Sequence, residues 1–247
     1  MFTGITRGTF EVDELVRGVE SLDFWIRLPG LAKGLEVGAS LSVDGVCHTV
    51  VESDGERVRV QSIAETLRRT TLKSLKLGDR VSIERSFRVG DEVGGHEVSG
   101  HVVGTGTIVA RQWRDIELSL CVSVPASWMK YIQHKGFIAV DGSSLTVGEV
   151  EVAHCAGDRD DATSVAEGDA DAYGRFWLHL VPETLRLTKF AGKQVGDEVN
   201  VELDAKTVAL VDTVERLLQE RLPPLLEQRV DQRLRELLPE FRGSGKR

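Results

Sequence analysis

The sequence lacks a surplus of basic residues and any long apolar run. Its 247 residues carry 31 Lys and Arg against 39 Asp and Glu, a formal net charge of −8, which argues against a protein that neutralises a nucleic-acid backbone. No run of about 18 apolar residues occurs, and the first 25 residues lack the basic-then-apolar order of a signal peptide. We therefore expect a cytoplasmic protein that binds neither nucleic acid nor membrane.

Cysteine is also scarce. Cys47, Cys121 and Cys155 are odd in number and form no close pair, which fits neither a disulfide framework nor a zinc site. His96 and His101 lie near two glutamates, but their spacing predicts opposite faces of a strand. We expect no bound metal.

What the sequence does contain is an internal repeat, and a chain of this length has room for two small domains. Residues 43–50 recur as 140–147, residues 65–70 as 183–188, and residues 78–84 as 196–202. The offset grows from 97 to 118 between the first match and the others, so the second copy holds 21 extra residues. We assign these to the acidic stretch 154–174, predicted to be a surface loop.

Each copy has the signals of short β-strands. Residues 116–122 and 176–180 alternate apolar and polar side chains, as half-buried strands do. Asp54-Gly55 predicts a two-residue hairpin turn with positive φ at both residues, and the Asp-Gly pairs at 44–45 and 141–142 suggest the same turn. We predict a mainly β fold, a tandem repeat of two similar small antiparallel Greek-key β-barrels, with domains at 1–97 and 98–204.

The C-terminal segment, residues 205–247, has a helical pattern instead. Its first apolar stripe consists of Leu210, Val211, Val214, Leu217 and Leu218. Pro223-Pro224 should end that helix, with a second one starting near Leu225. Because two closed barrels leave such a stripe no core to cover, we predict that these C-terminal helices self-associate.

Two like barrels can hold two like ligands. Corresponding residues nevertheless differ, because Cys47 aligns with Ser144 and His48 with Leu145. Such asymmetry suits an enzyme that uses two identical substrates as donor and acceptor. Composition alone would make Cys47 an ordinary core thiol.

Other polar residues have plain structural interpretations. Asp44 and Asp141, each followed by glycine, are most simply turn residues. Glu65 and Glu183 either stay solvated or pair with arginines on the same short segments.

Five motifs together resemble riboflavin synthase of the α-chain type, whose chain has two lumazine-binding barrels. They are MFTGI at 1–5, GGHEVSGHV at 94–102, KGFIAVDGSSLTV at 135–147, HLVPETL at 179–185 and VDTVER at 211–216. The resemblance implies the last step of riboflavin biosynthesis. Two 6,7-dimethyl-8-ribityllumazine molecules dismutate by four-carbon transfer to riboflavin and 5-amino-6-(ribitylamino)uracil, without metal or redox cofactor.

The resemblance also assigns site residues. It implies catalytic groups at Cys47, His101, Ser40, Ser144 and Asp204, with Cys47 hydrogen-bonding or adding to a lumazine and His101 moving protons. The groups expected around the first ring are Gly4, Ile5, Thr6, Cys47, His48, Thr49, Gln61, Ser62, Ile63, Ala64, Glu65, Thr66, Gly100, His101 and Val102. Those expected around the second ring are Lys135, Ser144, Leu145, Thr146, Val181, Pro182, Glu183, Thr184, Leu185 and Arg186.

For assembly, the resemblance implies a homotrimer with active sites between subunits, and an association with lumazine synthase. The rival hypothesis is a non-catalytic lumazine or flavin carrier of the antenna type, which has decayed motifs in its second barrel. The intact Lys135, Ser144, Thr146 and Asp204 favour the enzyme. A third hypothesis, compatible with either, is that the C-terminal helices recruit another biosynthetic protein. The insert at 154–174, the tail beyond Glu220 and His48 depart from the family's pattern.

Overall fold

A computed structural model describes residues 1–155 and 172–243 of the chain. It divides into two compact units, Met1–Asp204 and Ala205–Arg247. The first unit contains two closed six-stranded antiparallel barrels, which confirms the predicted tandem of β-barrels.

The first barrel is built from six strands that do not pair in chain order. They are β1 (Thr9–Arg17), β2 (Ser21–Arg27), β3 (Ser40–Val43), β4 (Val46–Ser53), β5 (Arg57–Ile63) and β6 (Arg80–Arg85). Around the barrel the order is β1-β2-β5-β4-β3-β6. A short helix, α1 (Ala64–Arg69), follows β5 directly.

The second barrel repeats this connectivity. Its strands are β7 (Gly104–Arg114), β8 (Glu117–Pro125), β9 (Phe137–Val140), β10 (Ser143–Cys155), β11 (Ala172–Leu180) and β12 (Glu198–Leu203). Their order, β10-β11-β8-β7-β12-β9, becomes that of the first barrel when six is subtracted from each number. Helix α2 (Pro182–Leu187) follows β11 as α1 follows β5. The repeat found in the sequence is therefore a repeat of whole barrels.

Alternation along the strands fills each barrel. The interior of the first barrel holds Val12, Leu22, Phe24, Ile26, Leu41, Val43, Val50, Val58, Val60, Val81 and Ile83, all buried. In β11, burial alternates along the whole strand, as predicted for 176–180. Strand β8 is different, because every residue from Leu118 to Val122 is buried. The prediction of a half-buried strand was wrong there, since β8 is covered on both faces.

The predicted turns divide into two groups. At Asp44-Gly45 the φ angles are 48° and 83°, and at Asp141-Gly142 they are 44° and 80°, so both pairs form the predicted two-residue turn. Between β4 and β5 the loop has three residues, 54–56, and only Gly55 has positive φ. The side chain of Asp54 explains the extra residue, because its carboxylate accepts hydrogen bonds from the backbone amides of Glu56 and Arg57, at 3.0 and 2.7 Å.

Both ends of the predicted acidic loop, residues 154–174, lie in strands. Strand β10 continues to Cys155 and β11 begins at Ala172, and these two residues are paired, as are His154 and Tyr173. The ends of the 154–174 stretch are therefore strand. Its remaining residues, 156–171, lie outside the described residues. The predicted domain boundary at residue 97 falls in the connection between β6 and β7.

The second unit is one helix, α3 (Ala205–Gly243), which continues through both prolines. The prediction of two helices separated at Pro223-Pro224 was wrong. Proline has a helical φ, and its cost is a lost hydrogen bond to the carbonyl one turn earlier. Those carbonyls belong to Gln219 and Glu220, which are exposed, so water can replace the missing donors. Among the residues described, no helix combines the length and apolarity needed to cross a bilayer.

Candidate functional site

Two extended segments join the barrels at the positions where the sequence motifs concentrate. We call residues 1–6 the first arm and residues 97–102 the second arm. Phe2 and Val98 pair the arms antiparallel through two backbone hydrogen bonds, at 2.7 and 2.9 Å. Both side chains are buried, so this pairing fixes the two arms against each other.

The first arm places its Gly4 carbonyl on the second barrel, and the second arm places its Gly100 carbonyl on the first barrel. The Ser144 amide in the second barrel donates to the Gly4 carbonyl of the first arm at 2.8 Å. The Cys47 amide in the first barrel donates to the Gly100 carbonyl of the second arm at 3.0 Å. The contacts are reciprocal, as in an isologous interface.

This crossing corrects one predicted grouping. Gly4, Ile5 and Thr6 were expected around the first ring, but the first arm lies against the second barrel. Besides the Gly4 contact, the Thr6 and Ser143 hydroxyls share a hydrogen bond of 3.0 Å. Linear sequence placed these residues with the barrel they precede, whereas the arm crosses over. The second arm lies on the first barrel, where the Gly100 carbonyl accepts from the Cys47 amide.

The two arm glycines cannot be replaced without disturbance. Gly4 and Gly100 have φ angles of 73° and 81°, where a side chain is strained. A Cβ atom on Gly4 would lie 2.5 Å from the Ser144 Cβ, and one on Gly100 would lie 2.6 Å from the Cys47 Cβ. The glycines allow the arm backbone to approach the barrel strands directly.

Strands β4 and β10 present equivalent residues on the outer face of each barrel. Cys47 is half-buried and Thr49 exposed, while the residues between and beside them face the interior. Ser144 and Thr146 occupy the same positions on β10. Cys47 packs against a small buried cluster of Phe2, Val98 and Ala139. The thiol therefore lies where the second arm meets the first barrel.

The second described thiol is in a different environment. Cys121 is buried in β8, and burial raises its pKa to about 11. Such a thiol stays protonated and unreactive at neutral pH.

His48 and Ser62 point away from the outer face. His48 lies inside the first barrel, edge-on to Phe24, with Nδ1 2.9 Å from the Val46 carbonyl and Nε2 2.8 Å from the Ser62 hydroxyl. Burial lowers the pKa of the ring to about 4. The prediction for both residues concerned their main-chain groups around the first ring, and their side chains lie inside the barrel. Leu145, the counterpart of His48, is likewise buried.

The other residues predicted for the first site lie around Cys47. Ser40 pairs with Thr49 across β3 and β4, which puts it on the face that carries Cys47. In the second arm His101 is exposed, and Val102 packs on the core of the first barrel.

The stretch from Gln61 to Thr66 ends β5 and begins α1. Gln61 donates to Asp23 at 2.6 Å, and the Ile63 side chain is exposed. Ala64 and Thr66 are half-buried. The Glu65 carboxylate is occupied by Arg68 and Arg69, which lower its pKa. The pairing of Glu65 with an arginine was one of the two interpretations predicted for it.

In the second barrel, Ser144 has a partner that the sequence analysis considered only as a metal ligand. The His96 Nδ1 and the Ser144 hydroxyl share a hydrogen bond of 2.6 Å. His96 is buried and stacks on Phe137 with ring centroids 5.1 Å apart. The predicted strand around His96 and His101 does not form, because pairing in that segment is limited to the bridge at Val98. The signal was present, since His96 stands inside a recognised motif.

Lys135 and Asp204 lie at one end of the second barrel. Lys135 has a φ of 64° and an exposed side chain, and its amide donates to the Val147 carbonyl at 2.8 Å just before β9. Asp204 directly follows Leu203, whose β12 position pairs with Ile138 of β9. The chain therefore places both residues beside the start of β9.

The last predicted group follows β11. Val181 and Pro182 are exposed, Thr184 and Leu185 are half-buried, and the Arg186 guanidinium donates to the Glu183 carboxylate at 2.6 Å. That hydrogen bond lowers the pKa of Glu183. Helix α2 repeats the geometry of α1 and its internal ion pair.

Two buried carboxylates were missed altogether. Glu84 accepts hydrogen bonds from the Thr3 amide at 2.6 Å, the Thr3 hydroxyl at 2.7 Å and the Gly4 amide at 3.0 Å. Glu202 accepts from the Ser99 amide at 2.7 Å, the Ser99 hydroxyl at 2.7 Å and the Gly100 amide at 2.9 Å. Burial raises the pKa of Glu84, and the Thr3 and Gly4 donors oppose the shift. An acidic residue recurring in two apolar strands was the available signal.

The Asp-Gly turns do more than reverse the chain. Gly45 and Gly142 lie in contact, because a Cβ atom on Gly45 would be 2.5 Å from the Gly142 nitrogen. Asp44 is buried and accepts from the Ser82 amide at 2.7 Å and from Lys189 of the second barrel at 2.6 Å. The interpretation of Asp44 as a turn residue was incomplete, since its carboxylate also joins the barrels.

Both members of this pair have shifted ionisation. Burial raises the pKa of the Asp44 carboxyl, and Lys189 opposes that shift. Burial disfavours the Lys189 charge, but Asp44 and Asp141 outweigh it and raise the pKa of the ammonium. Since two donors face the Asp44 carboxylate, we assign a charged pair.

Comparison with known proteins agrees with this architecture. The lumazine binding domain family matches residues 3–86 and 99–204. The riboflavin synthase of Escherichia coli (strain K12) is 40% identical over 223 residues, which cover 90% of this chain and 95% of the relative. The riboflavin synthase of Chlamydia muridarum is 38% identical over 223 residues, covering 90% and 99%. That of Mycobacterium bovis is 36% identical over 225 residues, covering 89% and 98%.

Solved structures with the same fold include LumP complexed with riboflavin. It has a TM-score of 0.67 and 20% identity, covering 83% of this chain and 100% of that one. LumP complexed with 6,7-dimethyl-8-(1'-D-ribityl) lumazine has a TM-score of 0.65 at 20% identity, covering 83% and 99%. At this identity the likeness shows the fold alone.

Proposed function

The chain belongs to the riboflavin synthase family, and from that membership we propose how its two barrels divide one reaction. The activity is a transferase reaction in which two 6,7-dimethyl-8-ribityllumazine molecules dismutate. One molecule gives a four-carbon unit to the other, which yields riboflavin and 5-amino-6-(ribitylamino)uracil. This is the last step of riboflavin biosynthesis.

The chemistry asks the protein mainly to orient two rings and to move protons. The protons of the lumazine 7-methyl group are acidic, because the carbanion delocalises into the ring. A site that holds two rings in reacting geometry replaces a bimolecular encounter with an effectively unimolecular step. General acids and bases then complete the transfer.

One observation carries the division of roles. Cys47 and Ser144 occupy equivalent positions on equivalent strands, and the amide of each donates to an arm glycine at 3.0 and 2.8 Å. The backbone frames are alike while the side chains differ. Identical substrates bound in such frames meet different chemistry, which supports one barrel for the donor and one for the acceptor.

For the first barrel we assign catalytic roles to Cys47, His101 and Ser40. Cys47 hydrogen-bonds or adds to C7 of one lumazine, and the exposed imidazole of His101 moves protons. Ser40 shares the outer face with Cys47 through its pairing with Thr49. Main-chain groups of residues 100–102 and of the 61–66 stretch bracket the ring.

For the second barrel we assign catalytic roles to Ser144 and Asp204, with Lys135 as a binding residue. The first arm, residues 4–6, brackets this second ring, as its contacts with Ser143 and Ser144 support. Residues 181–186 close the opposite side. Asp204 binds ribityl hydroxyls or stabilises developing charge.

We propose a homotrimer with active sites between subunits. Helix α3 supports this assembly, because its exposed apolar side chains form an extended stripe. They are Leu210, Val214, Leu217, Leu218, Leu222, Leu225, Leu226 and Val230. Light scattering should give three chains per particle, and Leu217→Glu with Leu218→Glu should give a single chain with reduced activity. An association with lumazine synthase and a cytoplasmic location stay predictions.

The activity is tested with the lumazine alone. Incubation of purified protein should produce flavin absorbance without any added cofactor. Stoichiometric binding with no product over hours would leave the carrier hypothesis, in which both barrels hold ligand without reaction. The relatives above 30% identity are riboflavin synthases, which favours turnover.

A further inference from the structure

The buried glutamates and the crossed arms together assign a function to residues remote from the reacting groups. Glu84 belongs to β6 of the first barrel, and Glu202 to β12 of the second. Each accepts three hydrogen bonds from its own arm, two of them from consecutive backbone amides. Each arm then places its glycine carbonyl on the other barrel.

We propose that Glu84 is a positioning residue for the Ser144 site and Glu202 a positioning residue for the Cys47 site. Each carboxylate thus controls the site of the barrel to which it does not belong. This inference rests on the proposed function only for its effect on turnover. The geometric part concerns the arms and stands by itself.

The carboxylates are well placed to fix the arms. Glu84 and Glu202 are 4% and 6% exposed, so water cannot readily replace them as acceptors. Hydrogen bonds to a carboxylate are stronger than those between neutral groups. Both oxygens of each carboxylate are used, one on Thr3 or Ser99 and the other on the glycine amide. The geometry therefore fixes both the position and the tilt of the arm peptide.

Further contacts oppose slippage of the arms. The Ile5 amide donates to the Thr3 hydroxyl and the His101 amide to the Ser99 hydroxyl, each at 3.3 Å. We call each buried carboxylate with its three donors a clamp. In the second arm the Ser99 hydroxyl connects the Glu202 clamp to the backbone of His101, because it donates to Glu202 and accepts from the His101 amide. Loosening Glu202 should therefore displace both the Gly100 carbonyl, which accepts from the Cys47 amide, and the backbone of His101.

The test compares Glu84→Gln with Glu202→Gln in the full-length protein. Glutamine keeps one acceptor oxygen and turns an NH2 group toward the N–H donors on the other side, so each clamp loses its negative charge and at least one hydrogen bond. Hydrogen exchange of individual amides reports the two sites separately, because the Cys47 and Ser144 amides each donate to one arm. Glu202→Gln should speed exchange at Cys47 about tenfold while leaving Ser144 nearly unchanged, and Glu84→Gln should do the reverse.

Glu198→Gln is the matched control. It removes one negative charge from β12 at a partly exposed position that bonds Lys73 and Thr105 rather than an arm. It should leave both reporter amides unchanged. If either glutamine variant fails to fold, Thr3→Val and Ser99→Ala remove a single donor from each clamp and should show the same crossed pattern more weakly.

Three results would overturn the proposal. They are faster exchange in the barrel that carries the substitution, equal acceleration at both amides, and no acceleration at either. A merely structural role predicts the second of these, since global destabilisation speeds exchange at both amides together.

In turnover assays, KM for the lumazine should rise about tenfold with a smaller loss of kcat, because the arms bind the ring. Absence of flavin formation by the unsubstituted protein would refute the proposed function but would not alter the exchange result.

Discussion

The two barrels share a backbone and differ in the side chains placed on it. Both have the same strand order, an Asp-Gly turn with positive φ, and a buried glutamate that holds an arm. On the outer face, however, the first barrel has Cys47 where the second has Ser144, and Ser40 where the second has Phe137. The two barrels therefore offer like backbone frames that carry different side chains, as the proposed division of roles requires.

Cys47 and Ser144 also have different surroundings. Ser144 has a hydrogen bond to a buried imidazole, His96, which stacks on Phe137. Cys47 instead packs on an apolar cluster, and the histidine of its site, His101, is exposed. A thiol in apolar surroundings and a hydroxyl held by imidazole suit different steps of one reaction. The contrast can be tested by making the barrels more alike.

The largest effect is expected from damage to the shared frame. Gly100→Ala should lower the free energy of unfolding by about 3 kcal/mol, because positive φ is strained and the new Cβ meets Cys47. Gly30→Ala is the control, since Gly30 also has positive φ but has nothing within 4 Å of the added Cβ. Urea unfolding of both variants measures the difference. Equal losses would show that the arm does not need its close approach.

The next effect concerns the reacting side chain. Cys47→Ser gives the first barrel the residue of the second, and should lower kcat about 100-fold, as loss of a catalytic proton-transfer group or nucleophile does. Cys121→Ser changes a thiol that is buried away from either site, and should retain most of the rate. If the two variants turn over equally fast, Cys47 has no part in the mechanism.

A smaller, pH-dependent effect comes from the interior. The pKa of His48 is lowered to about 4 by burial, against about 6.5 in an unfolded chain. Because the unfolded chain binds the proton more readily, stability is present above pH 6.5 and is lost as the pH falls toward 4. Between pH 7.5 and 5 this should remove about 2 kcal/mol.

His48→Leu gives the first barrel the residue found at position 145 and should flatten that part of the pH dependence. Urea unfolding at the two pH values, with the unsubstituted protein in parallel, isolates the histidine. An unchanged slope in the variant would assign the acid sensitivity to other groups.

The smallest effect is expected at the loop that distinguishes the barrels. Strands β10 and β11 are paired up to Cys155 and Ala172, as β4 and β5 are up to a three-residue loop. Replacing residues 156–171 with the tripeptide Asp-Gly-Glu of 54–56 should change stability by only about 1.5 kcal/mol, because loop entropy varies slowly with length. Loss of cooperative melting would show that the second barrel needs its longer connection.

Much of the fold was predictable because its signals are local. The Asp-Gly turns at 44–45 and 141–142 need positive φ, and the repeat shows itself in residue identities at fixed offsets. A break between two helices at Pro223-Pro224 was predicted wrongly. The prediction used only the presence of the prolines, whereas the carbonyls that lose a donor, those of Gln219 and Glu220, are exposed to water. The contact of Gly4 with the second barrel could not be predicted, because chain order does not show that the arm crosses over.

Two unlike copies of one barrel, and the motifs of a lumazine-binding chain, can be recognised from the amino-acid order alone. Alternation, turn chemistry and repetition act over a few residues, so they can be read without coordinates. The contact of each arm with the other barrel, the hydrogen bond between His96 and Ser144, and the hold of Glu84 and Glu202 on the arms are visible only in the folded molecule. Those contacts join residues about 50 to 140 positions apart, and such pairings are fixed by packing of the completed barrels rather than by local preference.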